Sequence, residues 1–333
     1  MSEVKKYLIS RIVVYFLEIL FALSLCFIII RVGPIDPVLE IINRTAAMSE
    51  YIDPESAESL RETLMELYGL KGSLLEQYEH FILRLMKGDF GPSYSIFPTP
   101  VVEIIQRALP WTLGLLFWTT ILSWILGNFI GGIAGFFKER GWAKTLAGFA
   151  MIIYPIPYYI LALILVFLLA YLLPIFPLGG GGIKYVTFSI ESFFTYIRHA
   201  FLPGLSLVLG SYGWWFISMR NLAANTRTED YVQFAEYEGL SRRVIMFKYV
   251  LRNSLLPQVT GFAVALGGIF SGALATEVVF EYPGVGYILY MAATRGDFNL
   301  MLGVLVYSIL AVATATLIID LIYPFIDPRI RYK

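Results

Sequence analysis

The sequence is poor in charged residues, in cysteine and in histidine, and each shortage excludes a class of function. Only 15% of its 333 residues are Asp, Glu, Lys or Arg, against about a quarter in soluble globular domains. The single cysteine, Cys26, excludes an intramolecular disulfide and makes a thiolate metal cluster untenable. With only His80 and His199, we expect no metal site or histidine proton relay. The formal net charge is zero, so nothing indicates nucleic acid as a partner.

The few charges leave long apolar windows, and a bilayer requires about 20 apolar residues for each spanning helix. The first window is too long for a signal peptide and has no cleavage site of small residues, so we expect an uncleaved helix. In the third window, the glycines from Gly179 on should end the helix near Leu173, and Pro155 and Pro157 should kink it or delay its start. Six windows predict six transmembrane helices, at 12–30, 108–137, 145–183, 199–219, 253–276 and 298–319.

Lysine and arginine placement predicts the orientation, because cytoplasmic loops carry an excess of both. Most of the 25 Lys and Arg residues fall on one side if both termini are cytoplasmic. This orientation divides the chain into a cytoplasmic N-terminus with the first span (1–31), an extracytoplasmic segment (32–109) and a five-helix permease core (110–333). The core includes a cytoplasmic segment at 221–256. We therefore predict a multi-pass protein of the cell membrane.

Glycines at four-residue spacing predict close contacts between helices, because small residues let helix backbones approach inside lipid. Gly127, Gly131 and Gly135 form such a row in the second window, and Gly268 and Gly272 repeat the spacing in the fifth. A hinge is the less favoured interpretation of both rows.

The extracytoplasmic segment has the pattern of a small helical cap. One helix is predicted up to Leu67, and a second runs from Ser73 to Met86 and is closed by Gly88. This cap either docks a solute-delivering partner or stabilises the outer mouth. The second helix should have one apolar face, made of Leu74, Leu75, Tyr78, Phe81, Ile82, Leu85 and Met86.

The cytoplasmic segment predicts two amphipathic helices at a sharp turn. A short helix at 231–238 should end at Gly239 in the left-handed conformation, and Ser241 should cap a second helix at 242–253. Such a pair makes a rigid knob suited to a groove on another protein, whereas a solvated loop would not show an apolar stripe. The stripe consists of Val244, Ile245, Phe247, Val250 and Leu251.

At these positions the chain resembles the dipeptide/oligopeptide-type permease family of ABC importers. The cytoplasmic motif of that family matches Tyr231-Val232, Ala235, Gly239, Leu251-Arg252-Asn253 and Pro257. Taken in order, the matches cover some 300 residues. The further matching stretches are 33–37, 77–78, 88–93, 109–113, 277–280, 282–286 and 327–332.

The resemblance implies an all-α membrane protein with the type I ABC importer permease fold, which forms a heterodimer with a second permease. Two cytoplasmic ATPase subunits would bind ATP and Mg, and an extracytoplasmic solute-binding protein would deliver the cargo. This chain itself would hold no cofactor. The family usually has a small residue at Tyr237, a basic one at Glu238 and often His at Tyr249, so the turn predicts an ATPase with a matching surface. The residues implied to contact the ATPase are Tyr231, Ala235, Glu236, Tyr237, Glu238, Gly239, Leu240, Arg252, Asn253 and Pro257.

The chain has no GxxxxGK[ST] loop to bind ATP phosphates, so we expect no catalytic residues and a mechanical supply of energy from the ATPases. A self-contained secondary transporter that uses Glu18 and Asp320 is the rival from another class. The cargo is predicted to be di- or oligopeptides, with oligosaccharides and nickel as alternatives. Candidate pathway-lining residues are Tyr154, Tyr158, Tyr159, Tyr212, Trp214 and Trp215. Candidates for an outer-loop gate or a binding-protein contact are Glu277, Tyr282, Pro283, Gly284 and Gly286.

Overall fold

The structure is a computed structural model that describes residues 3–32, 38–39, 42, 54–67, 69–179 and 190–326. Within these ranges the regular structure is helical, and the one β-type pairing is an isolated antiparallel bridge between Pro92 and Pro100. Two π-helical turns, Phe167–Leu172 and Ile245–Leu251, and one 3-10 turn, Ile269–Ser271, adjoin the α-helices. The helices are α1 (Glu3–Val32), α2 (Pro54–Leu67), α3 (Leu74–Met86), α4 (Val101–Phe136), α5 (Gly141–Ile153), α6 (Tyr158–Val166), α7 (Ile190–Thr226), α8 (Asp230–Tyr237), α9 (Arg242–Val244), α10 (Arg252–Gly268), α11 (Leu274–Val279), α12 (Val285–Thr294) and α13 (Phe298–Ile326).

The chain forms two compact units. Of the described residues, the first unit contains those up to Trp111 together with Gly284–Leu317, and the second contains those of Thr112–Pro283 and the end of the last helix from Ile318. The predicted boundaries near residues 31 and 109 mark where the chain should pass from one side of the membrane to the other. The two units are defined by packing and do not test these boundaries, which stay a prediction.

Four helices are long and apolar enough to cross a membrane by themselves. They are Ile9–Arg31, Val101–Phe136, Phe194–Thr226 and Phe298–Leu321. α5 and the helix Tyr158–Leu172 together pass the same test but meet at a bend of 97°. Pro155 and Pro157 lie in this bend, so the predicted interruption of the third window is confirmed, because proline cannot donate the hydrogen bonds that would continue the helix.

The predicted fifth span is not one continuous helix. α10 ends at Gly268, Gly272 has a φ of 77°, and α11 begins separately at Leu274. No described atom lies within 4 Å of where a Cβ of Gly268 would stand. The predicted close helix contact is therefore wrong at Gly268, where α10 ends. A Cβ on Gly272 would stand 4.0 Å from the side chain of Thr112 on α4, an ordinary contact distance. Four or five spans are found among the described residues.

The first unit packs α3 against α1 and α13. Ser73 and Glu76 form a reciprocal capping box at the start of α3, as the sequence pattern of such boxes requires. Phe81 and Leu85 join the apolar cluster of Leu23 on α1 and Phe298 on α13. The apolar face predicted for α3 is narrower than expected, since three of its members stand exposed: Leu74, Leu75 and Met86.

The second unit is organised around the contact of α4 with α7. A Cβ on Gly127 would stand 2.4 Å from the Cβ of Trp215, and one on Gly131 would stand 2.5 Å from the carbonyl oxygen of Phe216. A Cβ on Gly135 would come as close to α7, 2.4 Å from the carbonyl oxygen of Arg220. The predicted role of this glycine row as a close helix contact is confirmed.

Candidate functional site

The predicted cytoplasmic knob is formed by α8 and the helical chain from Arg242 on. Gly239 has a φ of 75°, the left-handed conformation that glycine adopts without steric cost. The buried side of α8 consists of Val232 and Ala235, which pack on α4, α7 and the π turn. Their cluster comprises Phe136, Met219, Ala223, Val232, Ala235, Ile245, Met246, Val250 and Leu251.

The second helix of the knob differs from its prediction in two respects. Ser241 precedes it with an extended backbone, but its side chain makes no capping hydrogen bond. The π turn widens the helix by one residue per turn, so Met246 is buried and Phe247 is exposed. The expected place of Phe247 in the apolar stripe is therefore wrong.

The two halves of the cytoplasmic motif meet in a hydrogen bond. The Nδ2 of Asn253 donates to the hydroxyl oxygen of Tyr231 at 3.1 Å and to the carbonyl oxygen of Tyr249 at 2.7 Å. Arg252 and Pro257 are exposed beside it on α10. The hydroxyl of the next residue, Ser254, donates to the hydroxyl oxygen of Thr226 at the end of α7. The Asn253–Tyr231 bond therefore joins α8 to α10, and the Ser254–Thr226 bond joins α10 to α7.

The outward side of α8 is aromatic and acidic. Tyr237 is 85% exposed and Phe234 is 64% exposed. Phe234 was missed from the sequence, although Tyr231, Phe234 and Tyr237 recur at three-residue spacing and so share a helix face. The remaining predicted contact residues of α8 and of the turn after it are exposed as well: Glu236, Glu238, Gly239 and Leu240.

The six candidate pathway residues fall into two groups. Tyr212 and Trp215 are buried within the second unit, where Trp215 fills the space left by Gly127 and Gly261. The backbone of Tyr154 and Tyr158 lies against Gly213 and Gly210 of α7. A ring buried in the unit's own core presents little surface to a solute. The other four rings are exposed: Tyr154, Tyr158, Tyr159 and Trp214.

Two of the candidate gate residues, Glu277 and Tyr282, are fully buried. The hydroxyl of Thr112 donates to Oε1 of Glu277 at 2.8 Å, and the hydroxyl of Tyr282 donates to that of Tyr196 at 3.1 Å. Thr112 and Tyr196 were missed because no local pattern links residues 165 and 86 positions apart. Pro283 is half-buried, and in the first unit Gly284 and Gly286 lie buried around the start of α12.

A second buried acid, Asp297, was not recognised in the sequence. Its carboxylate accepts hydrogen bonds from the Ser93 hydroxyl, from the backbone N–H and hydroxyl of Ser95, and from the backbone N–H of Leu300. Asn299 beside it donates to the carbonyl oxygen of Pro92. This arrangement, the Asp297 cluster, holds the loop 91–100 to the start of α13.

The two acids of the rival carrier hypothesis lie in different surroundings. Glu18 is exposed on α1, whereas Asp320 is half-buried near the end of α13. α1 is little covered by the rest of the chain, with 11% of its most apolar window buried. Glu18 therefore faces outward from the chain rather than into an internal cavity.

Residues 127–332 match the family described as binding-protein-dependent transport system inner membrane component. The chain belongs to this family, and it is a multi-pass membrane protein.

Relatives match over most or nearly all of the chain. An oligopeptide transport system permease protein, AppB of Bacillus subtilis (strain 168), is 30% identical over 98% of this chain and 99% of its own length. The oligopeptide permease protein OppB of Haemophilus influenzae is 29% identical over 80% of this chain and 83% of its own length. The dipeptide permease protein DppB of Lactococcus lactis subsp. cremoris is 24% identical over 98% and 99%.

Proposed function

We propose that this chain is one of two permease subunits of an ATP-driven importer and forms half of a translocation pathway for di- or oligopeptides. The cargo is inferred from the relatives, whose names specify oligopeptide or dipeptide transport along nearly the whole chain. Oligosaccharides, nickel and a self-contained carrier that uses Glu18 and Asp320 are not favoured. A single-chain carrier would need its acids inside a shared cavity, but Glu18 is exposed.

The proposed permease subunit has six spans, and both of its termini lie in the cytoplasm. α10 is the sixth span when the bent pair of α5 and Tyr158–Leu172 counts as one span beside the four long helices. Its 17 residues measure roughly 25 Å, close to the roughly 30 Å of the hydrocarbon core. The π turn before α10 and the 3-10 turn after it extend the helical path at both ends. In this topology α8 lies in the cytoplasm and α2 and α3 lie outside.

We further propose that α8 is the coupling helix that enters a cleft of the ATPase. The observation that carries this proposal is the contrast between its two sides. Val232 and Ala235 are buried in the second unit, whereas Phe234 and Tyr237 extend large rings into the surroundings. A helix bonded to α10 through Asn253 moves with the spans, so closure of an ATPase pair would be transmitted to them as a rigid-body motion.

The partners follow from this mechanism. A second homologous permease completes the pathway, two ATPase subunits bind the ATP and Mg, and an extracytoplasmic binding protein delivers the peptide. The cleft that receives α8 should offer an apolar recess for the ring of Tyr237 and a basic group for Glu238. A typical ATPase of the family, matched to a small and a basic residue at these positions, would then bind poorly.

Burial within the chain narrows the candidate residues of the pathway. Among the predicted lining residues, Tyr154, Tyr158, Tyr159 and Trp214 have exposed rings available to a solute. In the outer loop, burial of Glu277 and Tyr282 favours a gate over a binding-protein contact, because a docked protein needs accessible side chains.

The substitution Tyr237→Ala tests the coupling role. Removing a ring that is 85% exposed should leave folding unchanged but weaken ATPase binding by about tenfold or more, as at a typical aromatic hot spot. Co-purification of the ATPase and uptake of a labelled peptide into proteoliposomes are the measurements.

Tyr171→Ala is the matched control. Tyr171 is 69% exposed but lies in the π turn after α6, at the predicted outer end of the third span. Uptake and ATPase retention should both survive this change. Full ATPase binding by the Tyr237→Ala protein would refute the assignment of α8. An importer that moves only sugars or metal ions would refute the cargo but leave the coupling role standing.

A further inference from the structure

The second unit contains a basic pocket between the end of α4, the end of α7 and the start of α9. Its cavity volume is about 220 Å³. Three arginines line it, and two aromatic rings form its apolar part. The lining residues are Phe136, Phe137, Glu139, Arg140, Arg227, Glu236 and Arg242.

The three arginines of this pocket outnumber its two carboxylates, so the lining has a formal net charge of +1. Glu139 pairs with Lys144, at 3.2 Å between Oε2 and Nζ. Among the residues that the structure describes, no carboxylate lies within 4 Å of the guanidinium groups of Arg140, Arg227 or Arg242. A pocket with three unpaired guanidinium groups attracts an anion.

The side chain of Arg227 is held in place without losing its charge. One guanidinium nitrogen donates to the carbonyl oxygen of Phe136, the last residue of α4. The guanidinium carbon also lies 5.0 Å from the centre of the Phe136 ring, within the range of a cation–π contact. Both partners are uncharged, so neither contact neutralises the positive charge of the Arg227 guanidinium.

The aromatic residues around the pocket indicate the depth of a membrane interface. Trp142 is 46% exposed at the start of α5, and its ring centre lies 6.1 Å from that of Phe137. Tryptophan is enriched where the acyl chains meet the headgroups. Basic pockets between spans on the cytoplasmic side bind the headgroups of anionic lipids, and this pocket lies in the loops predicted to be cytoplasmic.

The pocket does not lie on the side of α8 that carries the exposed rings. Phe234 and Tyr237 are absent from its lining, whereas Glu236 is present. At about 100° per residue, Glu236 lies about 100° or more around the helix from both rings. An acidic side chain of an ATPase docked on those rings would not enter this pocket directly.

We propose that the pocket formed by Arg140, Arg227 and Arg242 binds the phosphate of an anionic lipid headgroup. The bound phosphate bridges the loop before α5, the end of α7 and the start of α9. This site goes beyond the importer function and depends on neither the cargo nor the ATPase.

The test is competitive lipid binding by the purified full-length chain. The protein is equilibrated in micelles with equal amounts of phosphatidylglycerol and phosphatidylcholine, and the retained lipids are quantified by mass spectrometry. Each cation near an anionic headgroup changes binding by roughly fivefold. The double variant R140Q/R242Q should therefore reduce the enrichment of phosphatidylglycerol by about tenfold or more.

The chain supplies a matched control in K138Q/R243Q, which removes the same net charge from adjacent positions outside the pocket. This control should retain the enrichment to within about twofold of the unaltered chain. Equal losses in the two double variants, or no enrichment in the unaltered chain, would overturn the proposal. If R140Q/R242Q does not fold, R242Q is compared with R243Q, and equal retention there would also refute the site.

Two further arms separate the sources of the anion. Soluble glycerol phosphate should not displace the retained lipid, and displacement by it would assign the pocket to a free phosphate compound instead. The unaltered chain should show its lipid preference without any ATPase present. If no preference exists and R140Q/R242Q instead loses the co-expressed ATPase, the pocket receives a protein carboxylate and the lipid proposal is wrong.

Discussion

In the second unit, α4 approaches α7 closely because the contact is made by glycines, which have no side chain. In the first unit, by contrast, the loop 91–100 is held by hydrogen bonds to one carboxylate. The glycine contact depends on shape alone, since an added Cβ at Gly131 would meet the backbone of Phe216. The Asp297 cluster depends on direction and charge, because four donor groups converge on Asp297. Any side chain added at such a glycine forces the two helices apart, whereas a polar cluster can lose one hydrogen bond and keep the others.

Gly131→Ala tests the steric region and should have the largest effect. The new methyl group would stand 2.5 Å from a carbonyl oxygen and 2.9 Å from a Cα, so two helix backbones must move apart. We expect a loss of about 3 kcal/mol, measured as the free energy of unfolding of the purified chain in detergent. Gly148→Ala is the control, because Gly148 is also helical but has open space around it. It should be neutral or stabilising by about 0.5 kcal/mol, and equal losses at both sites would contradict the steric explanation.

Asp297→Asn tests the polar region and should have an intermediate effect. The amide keeps one oxygen acceptor, so some of the donors from Ser93, Ser95 and Leu300 lose their partner in a buried site. A loss of about 2 kcal/mol is expected, together with faster proteolysis within the loop 91–100. Protection of that loop at the unaltered level would show that Asp297 does not hold it in place.

Gly239→Ala tests a third kind of constraint, the left-handed backbone conformation at this residue. The substitution changes neither a packing contact nor a charge. No atom of the described residues lies within 4 Å of the added Cβ, but the φ of 75° remains. The expected cost is about 1 kcal/mol, since residues with a Cβ are disfavoured in the left-handed region. Gly239→Asn should cost less, because asparagine tolerates that conformation. A larger loss for Asn than for Ala, in the unfolding free energy, would mean that side-chain space rather than backbone strain matters here.

Asp89→Asn is the exposed counterpart of the Asp297 substitution and should have the smallest effect. Partial burial acts to raise the pKa of Asp89, but the Gly91 N–H and the Arg84 guanidinium outweigh it and hold the pKa below its ordinary value. A lowered pKa adds stability above the unfolded value, roughly 3.9, and this stability disappears as the pH falls through the folded pKa.

Thermal unfolding across the acid range is the measurement for Asp89. The unaltered chain should be slightly more stable than Asp89→Asn at neutral pH, and the difference should vanish below about pH 3. A difference that stays constant with pH would show that the side-chain shape, and not its charge, is responsible.

Local patterns in the sequence predicted the elements that depend on neighbouring residues. The helix at 73–86, the break at Pro155 and Pro157, and the left-handed Gly239 all depend on residues within one or two helical turns. The family resemblance required more of the chain, but it too followed from residues read in order. The glycine row at Gly127 predicted a close contact without naming the helix that it meets.

Other features were missed or mistaken for physical reasons. A π turn adds a residue to one helical turn and moves Phe247 off the face that regular spacing gives it. Gly268 and Gly272 have the spacing of a contact row, yet spacing alone does not distinguish a contact from a helix break. The three-residue spacing of Tyr231, Phe234 and Tyr237 places Phe234 on the same helix face, but Phe234 was not predicted as a contact residue.

The sequence by itself determined that this chain is a helical membrane permease of the binding-protein-dependent transport family, because hydrophobic length, breaker residues and ordered motifs are properties of the chain read in one direction. Only the tertiary structure decided which groups satisfy Glu277 and Asp297, and which rings of the pathway set remain exposed. Their partners lie 165 and 204 residues away, and a buried polar group is stabilised by whatever donors the fold brings to it. No periodicity records that pairing.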